Sequence, residues 1–65
     1  MTVEEVYERL EVIRRWSADD EAAHGAEEDL WKDVLTAISQ GAENAVDLSR
    51  AALQTLNFDF ARWYS

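Results

Sequence analysis

His24 is the single histidine of the chain and sits within the stretch "DDEAAHGAEED", Asp19 to Asp29. On a helix, Asp20 lies one turn before it and Glu27 and Glu28 one turn after, so three carboxylates come within reach of the imidazole. Glu21 and His24 also form a Glu-x-x-His pair. In ferritin-like carboxylate bundles such a pair on one helix supplies two inward-facing ligands to a di-metal site. A site of that kind needs further glutamates and a second Glu-x-x-His from facing helices. Here they would have to come from a dimer in which Glu4, Glu8 or Glu11 turned inward, and the pattern of the first helix turns those residues outward. Glu21 and His24 are thus the only metal candidates, and the expectation is no metal and no cofactor. His24 reads as a surface histidine among acids, which favour its imidazolium form.

Catalysis is not expected either. The chain has no cysteine and one histidine, so a serine triad would have to pass through His24. None of Ser17, Ser39, Ser49 and Ser65 stands in a glycine-flanked nucleophile turn, and no glycine-rich phosphate loop is present. Solvated acids on a helix surface are not poised general acids or bases.

The aromatic residues carry more information. Three Trp, two Tyr and two Phe is a large share for so short a chain. Some must fill the core. Trp31 and Leu35, however, fall at the edge of an apolar stripe beside His24, and Trp16 falls near the end of the first helix. Trp31 and Leu35 either pack under the C-terminal segment or form a partner-facing patch. Tryptophan anchors ringed by charge are typical of interface hot spots. The candidate contact residues are Trp16, His24, Glu27, Glu28, Trp31 and Leu35.

The elements that must position these residues are helical. The chain has 65 residues, 48% of them hydrophobic, with no proline and two glycines. That describes one folded domain rich in helix. A domain this small is marginally stable. Without cysteine it has no disulfide, so helix packing or self-association must supply the missing stability. The first helix is expected over 3–16, with Thr2 and Glu5 as a capping box and Val3, Val6, Leu10 and Ile13 as its stripe. The second is expected over 19–40, capped by Ser17 or Asp19 and stopped by Gly41. Ala23, Ala26, Leu30, Val34, Ala37 and Ile38 form its core face, and Gly25, on the polar side, invites a kink. The third is expected over 45–56, with the stripe Ala45, Leu48, Ala52 and Leu56. "NFDFARWYS" gives either a short aromatic helix over 58–64 or an extended tail. Short connections make the whole a compact, antiparallel three-helix all-α domain, with helix 1 over the alanines of helix 2.

The net charge is −8, from 14 acids and 6 bases. It repels phosphates, so neither direct nucleic-acid binding nor attachment to an anionic membrane is expected. No apolar run approaches the roughly 18 residues of a membrane span, and the start lacks a signal segment. The reading is a soluble, cytoplasmic protein. Seven acids fall between Asp19 and Asp33, opposed only by Lys32. They are either a solvated face or a surface for a basic partner. In the second case the chain would be an acidic inhibitor that imitates DNA and occupies a nucleic-acid-binding host protein.

"WSADDEAAHGAEEDLWKDVLTAISQGA" together with "LNFDFARWYS" resembles small helical accessory proteins encoded by actinobacterial phages and prophages. The resemblance spans most of the chain and rests on general pattern, not on a catalytic signature. It implies a protein made in a bacterial host cell that binds a host protein, and it carries no site residues. The leading expectation is a non-enzymatic protein–protein interaction module, acidic and able to form a homodimer.

Overall fold

A computed structural model of the chain describes residues 1–62. Helix α1 spans Val3–Arg15. Its start is the expected capping box: the Glu5 amide donates to Thr2 Oγ1 at 3.1 Å, and the Thr2 amide donates to Glu5 Oε1 at 3.0 Å. Two orphan donors are thereby satisfied at once. Val6, Leu10 and Ile13 are buried, with Val3 packed beside them. Trp16 is the C-cap residue and lies just outside the helix.

Helix α2 spans Asp20–Ser39. Asp19, not Ser17, caps it, accepting from the Ala22 amide at 3.2 Å. The Ser17 hydroxyl donates instead to the Arg14 carbonyl at 2.7 Å. The helix runs unbroken through Gly25, so the glycine does not divide it. One glycine costs about 1 kcal/mol, which the packing of a twenty-residue helix overrides. The end is a Schellman turn. The Gly41 amide donates to Ile38 O and the Ala42 amide to Ala37 O, with Gly41 at φ 88°.

Helix α3 spans Ala45–Leu53 and passes into a 3-10 turn over Gln54–Asn57. The expected α-helix to residue 56 is thus cut short, and the tighter turn changes which side chains face inward. A 3-10 turn advances 120° per residue rather than 100°. Thr55 is fully buried, whereas Leu56, expected in the core stripe, is exposed. Asn44 precedes the helix but makes no side-chain cap. Its amide donates to Met1 O at 3.2 Å and ties the starts of α1 and α3 together.

These ties set the topology. Arg9 of α1 pairs with Asp33 of α2 at 2.6 Å, and the Trp31 indole of α2 donates to Ala52 O of α3 at 3.2 Å. The helices therefore run up, down and up around one core of Val6, Leu10, Ile13, Ala23, Leu30, Val34, Leu48, Ala51, Ala52 and Phe60. Because α3 ends level with Trp31, it covers only the C-terminal half of α2. The chain beyond Phe58 covers the N-terminal half. Residues 58–62 are not helical, which corrects the first part of the alternative helix over 58–64. Trp63 and Tyr64 of that helix lie outside the described residues. Among the described residues no helix is long and apolar enough to cross a membrane.

Candidate functional site

The stripe of α2 reads Ala23, Glu27, Leu30, Val34, in steps of four, three and four. Glu27 thus occupies a core position, and it is 1% exposed. A carboxylate there is tolerable only with a cation and full hydrogen bonding. Arg62 supplies both. Its Nε donates to Glu27 Oε1 at 2.9 Å and Oε2 at 3.1 Å. Its Nη2 donates to Thr55 O at 2.6 Å and Phe58 O at 3.3 Å, and Nη1 donates to Phe60 O at 3.3 Å. The guanidinium lies 4.1 Å above the Phe60 ring, close enough for cation–π attraction. Asp20 adds a second hold by accepting from the Ala61 amide at 3.2 Å. Arg62 therefore clasps the extended tail onto α2.

This arrangement corrects two expectations. Glu27 is not a surface acid open to a partner. His24 is not a surface histidine: it is 9% exposed, and neither ring nitrogen has a hydrogen-bond partner among the described residues. Its Nδ1 lies 3.9 Å from Glu27 and its Nε2 3.8 Å from Glu28, outside hydrogen-bonding distance. Glu28 is exposed, and so is Glu21, the partner of His24 in the Glu-x-x-His pair. Among the described residues no group of three or more His, Asp or Glu side chains could hold a metal ion.

The second feature is apolar. Trp31, Val34 and Leu35 of α2 and Ser49, Ala52 and Leu53 of α3 line a groove of about 290 Å³. The bond to Ala52 fixes the indole of Trp31, which is half-buried, while Leu35 is 64% and Leu53 55% exposed. Trp31 thus packs against α3, and the described tail passes over the other half of α2, at Asp20 and Glu27. Leu35 stays open. Trp16 is exposed at the end of α1 and does not line this groove. The sequence reading missed Leu53 and Val46, which is also exposed. Their signal was present: Val46, Ser49 and Leu53 recur at three and four residues along the outer side of α3. A broader depression on the other side of α3 is lined by Tyr7, Asp47, Arg50 and Gln54 among others, and so has charged walls.

Fold and site together define a small acidic three-helix bundle with a tail-clasped carboxylate and an open apolar groove. No protein family, curated protein or solved structure matches the chain.

Proposed function

We propose that this chain is a non-enzymatic protein-interaction module that binds through the apolar face where α2 meets α3. The observation that carries the reading is the groove beside Trp31, with Leu35 and Leu53 left open at its lips. An indole pinned by a hydrogen bond offers a rigid anchor at little entropic cost, as binding hot spots do. Contiguous apolar surface of this kind is the usual mark of an interaction site on a soluble domain. In line with the phage resemblance, the partner is a bacterial host protein. The apolar face is preferred to DNA mimicry because three acids of the α2 row are already engaged. Asp20 and Glu27 hold the tail and Asp33 holds Arg9, which thins any phosphate-like array.

A pull-down from bacterial host lysate at low and high salt tests this. A partner retained by the native chain at both salts and lost with a Leu35→Asp bait is the expected result. A partner that persists with Leu35→Asp, or one lost from the native chain at high salt, would favour the acidic surface instead.

A further inference from the structure

We propose that the C-terminal tail is a proton-operated strap, closed over α2 while His24 is neutral and released when His24 takes up a proton. His24 lies directly beneath the strap. The Ala61 amide is held by Asp20, one turn before it, and the Arg62 guanidinium by Glu27, one turn after. Asp20, His24 and Glu27 share one side of α2, within about 60° of each other around its axis. A tail anchored at both positions therefore passes over the imidazole. Both ring nitrogens are enclosed and, among the described residues, have no hydrogen-bond partner. Enclosure of this kind suits a neutral ring and not a cation, because an unpaired buried charge costs far more than an unpaired buried polar group.

Closing the strap works against the proton in two ways. It shuts water away from the ring, and it commits Glu27 to Arg62, whose Nε donates to both carboxylate oxygens. The buried carboxylate beside His24 is thereby matched by another cation, and it stays 3.9 Å from Nδ1, beyond hydrogen-bonding distance. In the released state water returns, Arg62 departs, and Glu27 and Asp20 are free to face an imidazolium. The other charges on this side change less. Glu21 and Glu28 of α2 and Asp59 of the tail are exposed, where water and salt screen them. Between Arg50 and Asp59 the chain has no charged residue, so the end of α3 and the 3-10 turn bring none. Helix α1 pairs with α2 through Asp33, about half a turn around the helix from His24. The released form thus holds the proton more readily than the closed form, and lowering the pH shifts the balance toward release. Phe60, buried in the core, leaves with the strap, so release is a cooperative local opening and not a fraying of single bonds.

Hydrogen exchange read by NMR on the full chain tests the proposal between about pH 7.5 and about pH 5.5, an interval in which histidine is the side chain that ordinarily changes charge. The Ala61 amide, which donates to Asp20, reads the strap, and the Ile13 amide, inside α1, reads the global fold. Each rate is taken relative to an unstructured peptide at the same pH, which removes the intrinsic dependence of exchange on pH. Protection at Ala61 should fall by about fivefold or more at the lower pH while that at Ile13 holds. The carbon-bound ring protons of His24 should shift over the same interval, with the same midpoint as the loss at Ala61. His24→Leu and His24→Gln, which cannot take up the proton, should keep Ala61 equally protected at both pH values. Equal protection of Ala61 at both pH values in the native chain overturns the inference. So does a loss shared by Ile13, a midpoint that differs from that of the His24 ring, or a loss that persists in either variant that circular dichroism shows to be folded.

Discussion

Arg62→Ala should be among the most damaging surface-initiated substitutions in the chain. The variant removes the cation that meets Glu27 and leaves a carboxylate 1% exposed at a core position. Breaking a buried ion pair by deleting one partner costs about 3–5 kcal/mol. Arg62 is itself 29% exposed along its side chain, and a released tail would let some water reach Glu27, so about 3 kcal/mol is the expected loss. A core this size rarely supplies more than roughly 3–5 kcal/mol in total, so the variant should keep only about 0–2 kcal/mol and be marginally folded near 25 °C. Glu27→Gln should cost less, because the amide keeps an acceptor for Arg62 and removes the buried charge. The pair Glu27→Leu with Arg62→Met should recover most of the loss, since apolar replacement of a buried pair is often neutral or stabilising. Urea unfolding followed by far-UV circular dichroism, run as a double-mutant cycle, reads all three. A loss under about 1 kcal/mol for Arg62→Ala, the value of a surface pair, would mean that Glu27 is hydrated and the clasp is not structural.

Three further expectations are simpler. Gly25→Ala should stabilise the fold by about 1 kcal/mol, because an added Cβ meets nothing within 4 Å in an unbroken helix; an unchanged or lower thermal midpoint would contradict the continuous α2. Leu30→Ala, at a fully buried position, should cost about 2–5 kcal/mol, and a melt close to that of the native chain would refute the core assignment. The third concerns pH. The Thr2 amide and then its hydroxyl hold the Glu5 carboxyl below its ordinary value. A lowered folded value stabilises the helix start above the ordinary glutamate range, and that contribution is lost as pH falls through the folded value. Glu5→Gln should therefore weaken α1 at neutral pH and make little difference in acid, and a deficit that does not shrink on acidification would speak against the capping box.

Much of the frame could be read directly from residue order. Thr2 and Glu5, Asp19 and Gly41 marked helix ends because each supplies a specific backbone partner or a left-handed φ. Val6, Leu10, Ile13, Ala23, Leu30 and Val34 marked the core by their spacing. The departures share one physical cause: position in the helical stripe, and not residue type, decides burial here. Glu27 stands in the apolar stripe, but its charge assigned it to the surface. Nothing local announced that Arg62, thirty-five positions later, would fold back to neutralise it. The acidic neighbours of His24 suggest a surface position, whereas the tail-covered half of α2 buries it. An α-helical step carries Leu56 toward the core stripe, but the segment tightens to 3-10 and leaves it exposed. Leu53 and Val46 belong to a second, outward stripe of α3 that the pattern of its buried residues does not mark.

We propose that the α2–α3 face is where this protein meets a partner protein. The most direct measurement is photo-crosslinking in bacterial host cells, with the reactive side chain placed at Leu35 in one variant and at Val12, an exposed residue of α1, in the other. Discrete adducts with a host protein are expected from position 35, and few from position 12. Adducts of equal yield from both positions, or from position 12 alone, would contradict it.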